Sequence, residues 1–288
     1  MVKLYASEIE NVRIRVSCGC AGKMKSRIVI KLGGNLITNK SSQKTIRREE
    51  IDAVSSILAA TKDEGYSLVM VHGAGSFGHL LARRWSIDTG AKPEILEEQR
   101  GAVSQIRTDM RELNAEIVSS LARNGLRSEG LPPSNWAEGT GREFVGDISM
   151  FERESDDVIP ITFGDVVNKG GMEEFGILSG DDLMLRLSSE LPDVTHSIFL
   201  LGDAGGVMDR PPDQTGAQLL PSWKPLDDIV SNHLPDIDVT GGINLKLARA
   251  SEIANVVREV WLLDGREPDR VLELLSTGNT VGTKILGS

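Results

Sequence analysis

The chain has 288 residues, 32 basic and 42 acidic, for a net charge of −10. That balance repels nucleic acid, so any polyanionic small substrate must be held by a local basic cluster working against the global field. A hydrophobic content of 40% beside 26% charged residues is that of a soluble globular protein, with enough chain for one large domain or two smaller ones.

The first 23 residues contain the only cysteines, Cys18 and Cys20. Two thiols cannot complete a structural zinc site or a disulfide framework, which favours a reduced, cytoplasmic setting. The segment lacks the apolar core of a signal peptide, and nowhere does a run of 18 apolar residues suggest a membrane span. Met24 stands just before the first convincing strand, so residues 1–23 are expected to be a dispensable extension.

Residues 27–32 (RIVIKL) read as a buried strand that ends in Gly33-Gly34-Asn35. Lys31 is the odd residue in it. A lysine near the carboxyl end of a buried strand could snorkel to the surface, but open α/β sheets bind ligands at that edge, and Lys31 is read as a ligand contact. Lys40 follows in a polar loop, Thr38-Asn39-Lys40-Ser41-Ser42, where exposure is the default reading. Ile46, Ile51, Val54, Ile57 and Leu58 recur at helical spacing and predict a helix over 45–64, capped by Gly65.

The stretch SLVMVHGAGSFGH, residues 67–79, carries the most chemistry. A short apolar strand runs into Gly73, Gly75 and Gly78, where main-chain N–H groups can approach an oxyanion closely. Ser76 can add a hydroxyl donor. His79 is placed at the start of the next helix, where free amides and the dipole favour an anion. Strand, helix and strand together predict a βαβ unit with a right-handed crossover. Residues 73–78 also satisfy GxGxxG, but Glu94, Glu97 and Glu98 lie at a helix entry and not at the strand end that a dinucleotide site needs.

Val103, Ile106, Met110, Leu113, Ile117, Val118 and Leu121 give the strongest helical stripe, over 97–126, closed by Gly125. It is read as core or dimer interface, with some positions available to line a substrate-tail pocket. Residues 158–162 predict another strand, delivering Gly164 and Asp165 to its end; residues 168–171 predict a turn and 175–178 a return strand. Ser179 or Asp181 can cap the following helix.

Residues 196–201 form a further predicted strand, ending in Gly202-Asp203-Ala204-Gly205-Gly206. Helices are expected over 226–234, from Gly242 through Val257, and over 270–275, with strands at 260–263 and 281–286. Thr240-Gly241-Gly242, with Lys246 one turn later, makes a third glycine and lysine arrangement. No repeat or linker appears. A division into residues 24–190, binding the acceptor and carrying the dimer interface, and residues 191–288, binding the nucleotide, would be a crease in one continuous sheet.

Glycine turns at carboxyl strand ends, three nearby lysines, and Asp165, Asp181, Asp182 and Asp203 as candidates to engage Mg²⁺ make an inventory for phosphoryl transfer. GxxxxGK[ST] and the protein-kinase motifs are absent.

Lys31-Leu32-Gly33-Gly34-Asn35, the turn at 73–78, Gly164-Asp165-Val166-Val167, Ser179-Gly180-Asp181-Asp182, and Thr240-Gly241-Gly242 with Lys246 resemble the ordered motifs of the amino acid kinase family, over about residues 27–286. Within it, KLGGNLITNK with HGAGSFGH is similar to the isopentenyl phosphate kinases, marked by the histidine closing the glycine turn. The resemblance implies an open αβα sandwich with a mostly parallel sheet, a homodimer, and transfer of the ATP γ-phosphate to isopentenyl phosphate with Mg²⁺. It implies that Lys31 bridges the transferring phosphoryl group, Lys40 stabilises transition-state charge and His79 holds the acceptor phosphate. Ala74, Ser76 and Gly164 would contact the acceptor, while Gly33, Gly34, Asn35, Gly75, Asp203, Gly242 and Lys246 would hold ATP.

Two positions depart from the family pattern. Ala74 replaces a common glycine, a mild change if its φ is negative, and Leu201–Met208 replaces a TDVDGVY-like segment. Fosfomycin kinase, a relative with a similarly placed histidine, is the alternative enzyme. A nucleotide sensor without catalysis is the alternative of another class, disfavoured by the retained lysines.

Overall fold

The computed structural model describes residues 26–39, 42, 44–152, 157–212, 214–225 and 242–287. Residues 1–23, Lys40, the helix expected over 226–234 and the Thr240-Gly241 turn lie outside them.

In chain order the elements are β1 (Arg27–Leu32), α1 (Gly34–Ile37), α2 (Arg48–Asp63), β2 (Ser67–His72), α3 (Gly75–Arg84), α4 (Leu96–Arg123) and β3 (Arg127–Gly130). There follow β4 (Ala137–Glu138), β5 (Val145–Gly146), β6 (Val158–Phe163), β7 (Asp165–Gly170), β8 (Glu174–Leu178) and α5 (Gly180–Glu190). The last are β9 (Val194–Leu201), β10 (Ser222–Trp223), α6 (Gly242–Ala254), β11 (Glu259–Asp264), α7 (Asp269–Thr277) and β12 (Thr283–Ile285).

One sheet has the order β10-β12-β11-β9-β1-β2-β6-β3. From β11 to β3 it is parallel; only the β11/β12 pair is antiparallel. β1 is hydrogen-bonded to β2 on one side and β9 on the other, and all six of its residues are buried. Its apolar residues therefore split between two cores: Ile28, Ile30 and Leu32 pack with α2, α3, α4 and α7, whereas Val29 packs with α5 and α6. Both faces are covered, which is why β1 reads as a continuous apolar run and not as an alternating one. β9, which follows residue 190, is hydrogen-bonded directly to β1, so strands from both sides of that point share one sheet. A second sheet, β5-β4-β7-β8, includes the β7/β8 hairpin.

Within the described residues the expected elements appear with shifted ends. The stripe over 97–126 is α4, with Ile106, Met110, Leu113, Ile117 and Leu121 inward and Gly125 at φ +78° beyond its end. α2 begins at Arg48 and not at 45, because Ile46 is engaged in an isolated antiparallel bridge to Thr38. The hairpin turn starts later than expected, since β7 continues to Gly170 through a register irregularity. Among the described residues, no helix is long and apolar enough to cross a membrane.

Candidate active site

Strands β9, β1, β2 and β6 are consecutive neighbours and parallel, so the loops leaving their carboxyl ends open on one edge of the sheet. Those loops carry Gly202-Asp203, Gly33-Gly34-Asn35, Gly73 to Gly78 and Gly164. Main-chain bonds extend the ladder into them: Gly33 N–H donates to Leu200 O at 2.9 Å, Gly73 N–H to Leu32 O at 2.9 Å and Gly164 N–H to His72 O at 3.1 Å. The Gly33 amide is thereby consumed in the sheet. Gly34 and Asn35 open α1, where the amides have no carbonyl one turn back to bond.

The β1 and β2 turns touch through bare backbone. A Cβ on Gly34 would lie 2.5 Å from the Gly75 nitrogen, and one on Gly73 would lie 2.6 Å from the Gly34 nitrogen. Only glycine permits that approach. Gly75 also has φ +49°. Ala74 takes a right-handed conformation, φ −75° and ψ −29°, so a methyl group costs nothing there. This answers the first departure from the family pattern.

α3 starts at Gly75, so His79 lies a turn inside it and not at its first residue. The glycine-rich sequence looks like a loop, but right-handed Ala74 leads directly into the helix. His79 is half-buried. Ser76 is buried, its N–H donating to Thr38 Oγ1 at 2.9 Å and its Oγ accepting from Thr45 N–H at 3.4 Å. It braces the β2 turn against residues 38–45.

Beneath the turns lies a buried charge cluster. Lys31, on the face of β1 that packs against α5 and α6, donates to Asp181 Oδ1. Lys246, on α6, donates to the same oxygen at 2.9 Å. Asp181 stands in the first turn of α5, whose N-cap Ser179 accepts the Asp181 N–H at 3.1 Å. Gly180 gives Lys31 room, since a Cβ there would sit 3.2 Å from Lys31 Cε. Burial pushes the Lys31 ammonium down to about 8, against the pull of Asp181. Burial raises the Asp181 carboxyl, but Lys246 and Lys31 outweigh it and hold the group well below the usual carboxylate range. Two cations against one anion leave a net positive charge at the sheet edge, the local cluster that a chain of net −10 requires for an anionic substrate.

Asp203, at the end of β9, is exposed and accepts from Asn35 Nδ2 at 2.7 Å. That contact joins the β9 and β1 turns despite the altered sequence between Leu201 and Met208. Gly242, at φ +49°, is the first residue of α6. The structure thus brings together Lys31, Gly33, Gly34, Asn35, Ala74, Gly75, Gly164, Asp203 and Lys246, with His79 on the neighbouring helix.

The aspartates suggested for a metal are otherwise engaged. Asp181 meets two lysines, and Asp182 accepts from Arg249 Nε at 2.6 Å. Asp165 accepts from Ser134 N–H at 3.2 Å and Val166 N–H at 2.8 Å. Among the described residues, no group of three or more His, Cys, Asp or Glu is placed to hold a metal ion. Asp181 is the counter-ion of the lysine pair. No local signal in the sequence marks that role, because it depends on two lysines far apart in the chain meeting in one buried site.

His72 is absent from the residues singled out by sequence. It is fully buried, with Nδ1 3.0 Å from Gly73 O and its ring stacked on Phe163 at 4.8 Å. Burial pushes its pKa down to about 4, so a neutral imidazole packs beneath the glycine turn.

A family model described as the amino acid kinase family matches residues 26–264. The isopentenyl phosphate kinase of Methanothermobacter thermautotrophicus is 29% identical over 267 residues, covering 90% of this chain and 99% of its own length. That of Thermoplasma acidophilum is 27% identical over 248 residues, covering 85% of this chain and 94% of its own. A solved isopentenyl phosphate kinase structure superposes with a TM-score of 0.76 at 26% identity, over 90% of this chain and 99% of the other. With the ordered motifs meeting at one sheet edge and the family model spanning the whole of that edge, this chain belongs to the amino acid kinase family.

Proposed function

We propose that this chain transfers the γ-phosphate of ATP to isopentenyl phosphate, giving isopentenyl diphosphate and ADP. The observation that carries the reading is the Lys31, Asp181 and Lys246 cluster beneath the edge where the turns after β9, β1, β2 and β6 meet. Similarity to isopentenyl phosphate kinases over most of the chain supports this acceptor.

Phosphoryl transfer demands little covalent chemistry from the protein; it demands alignment and neutralisation of charge. An oxygen of the acceptor phosphate attacks the γ-phosphorus, and the bond from that phosphorus to the β,γ-bridging oxygen breaks. Gly34, Asn35, Gly75, Asp203, Gly242 and Lys246 would hold ATP. Gly33 supports the same turn from within the sheet. His79 would hydrogen-bond the acceptor phosphate, with main-chain contacts from Ala74 and Gly164, while Ser76 keeps the turn in shape. Lys31 would bridge the transferring group, and Lys40 would neutralise charge in the transition state.

Mg²⁺ would arrive on the nucleotide phosphates, neutralising their charge, in keeping with its preference for substrate phosphates and water over an all-protein cage. Two cysteines in the whole chain favour a cytoplasmic setting. The family resemblance supports a homodimer and a division of labour near residue 190.

The test is ADP release from ATP and Mg²⁺ with isopentenyl phosphate or fosfomycin as acceptor. A strong preference for isopentenyl phosphate is expected. Turnover with fosfomycin alone would move the acceptor while keeping the reaction class, and no turnover with either would sink the kinase reading.

A further inference from the structure

Lys246 can meet Asp181 only if α6 holds one rotation and one height against α5. Among the described residues, the contacts that set this pose are those of the helix itself. Leu247, Ala250 and Ile253 pack α6 inward, and the Lys246 pair adds one polar anchor, which fixes one point on the helix and not both its rotation and its height.

A second polar contact supplies the missing constraint. Arg249, three residues beyond Lys246 and on the same side of α6, donates from Nε to Asp182 Oδ1 at 2.6 Å. The acceptors are consecutive residues in the first turn of α5, and the donors are separated by about 4.5 Å along α6. Two anchors at different heights fix rotation and translation together.

This second anchor is itself held. The Arg249 and Asp182 side chains are only 13% and 5% exposed. Arg249 Nη1 donates to Glu252 Oε1 at 3.0 Å, and Glu252 Oε2 lies 2.5 Å from Arg142 Nη2 in the turn between β4 and β5. A buried ion pair is by itself a poor explanation of stability, since apolar replacements often do as well. What distinguishes this one is its register with the Lys246 pair.

We propose that Arg249, through Asp182, is a positioning residue for Lys246, setting the rotation and height of α6 so that the Lys246 ammonium reaches Asp181 and the nucleotide phosphates. The proposal rests on the reading of Lys246 as a nucleotide-binding residue and is independent of the acceptor.

The experiment is a titration of the full-length protein with adenylyl imidodiphosphate and Mg²⁺, for the unaltered chain, Lys246→Met, Arg249→Met and the double variant. Arg249→Met is expected to weaken binding about tenfold, the scale of coupling between side chains that act as a unit. The double variant is expected to bind no more weakly than Lys246→Met alone, because Arg249 acts through the ammonium already removed. Arg249→Lys, which keeps the charge but lacks the fork that spans Asp182 and Glu252, should fall between the unaltered chain and Arg249→Met.

Full additivity in the double variant would overturn the proposal, because a general structural role persists without Lys246. Unchanged binding by Arg249→Met would overturn it too. Should Arg249→Met fail to fold, Asp182→Asn, which preserves side-chain shape, completes the same cycle with the same expected results. Failure of the unaltered chain to bind the analogue would overturn both this proposal and the nucleotide reading, whereas a wrong acceptor would leave the titration untouched and show only in turnover.

Discussion

Replacing Asp181 with asparagine removes the one anion that two lysines share. The Lys31 ammonium has already fallen from 10.5 to about 8 with Asp181 in place, because burial outweighs the carboxylate's attraction. That fall amounts to about 3 kcal/mol against the charged form. Loss of the carboxylate leaves burial and the nearby Lys246 charge unopposed, so the Lys31 pKa drops further below about 8 and less of the side chain is charged at pH 7 to 8.

A lysine with a lowered folded pKa carries its charge below that value and loses it as pH rises through it. The unaltered enzyme should therefore show an alkaline limb in kcat/KM near pH 8, and Asp181→Asn should move that limb to lower pH. Loss of one cation at the transferring phosphoryl group should cost about 10²-fold to 10³-fold in kcat at pH 7.5, the scale of removing one preorganised stabilising group. Asp181→Asn also leaves Lys246 without its carboxylate, so thermal unfolding is measured alongside the pH–rate profiles. A folded Asp181→Asn protein with near-native kcat and an unmoved alkaline limb would refute this account of the cluster.

His79→Ala is expected to raise KM for isopentenyl phosphate and lower kcat while leaving KM for ATP near its native value; steady-state kinetics with each substrate varied would show the split, and unchanged acceptor kinetics would remove the role. Lys40→Ala should lower kcat more than it raises either KM, because a contact made chiefly in the transition state appears in kcat; a pure KM effect would count against it. Gly34→Ala should abolish nucleotide binding and lower the melting temperature, since its Cβ would lie 2.5 Å from the Gly75 nitrogen and force two turns apart; a stable Gly34→Ala protein that binds ATP normally would show the approach to be looser than described.

Much of this architecture is local enough to read from the chain. The buried strands announce themselves as short apolar runs ending in glycine, because a strand covered on both faces has no solvent side to mark with polar residues. The α4 stripe was equally legible, its inward positions recurring every three or four residues. Lys31 stood out because it is a cation near the carboxyl end of an apolar strand, the edge where open α/β sheets bind ligands. Element ends were less legible: Ile46 has helical spacing yet bridges to Thr38, and Gly75 and Gly78, which look like a loop before His79, already belong to α3.

Sequence alone thus determined the buried strands β1, β2, β6, β9 and β11, the glycine ends of β1, β2, β6 and β9, and the residue types available for phosphate chemistry, since each depends on neighbours a few positions away; the short strands β3, β4, β5 and β10 carry no such local signal. Tertiary structure decided which charges meet. Asp181 faces Lys31 across 150 residues and Lys246 across 65, and Arg249 finds Asp182 across 67. No periodicity encodes such pairings. They arise because β1 is buried between β2 and β9 while α5 and α6 pack together on one face of the sheet, and in that low-dielectric interior each cation must find its anion.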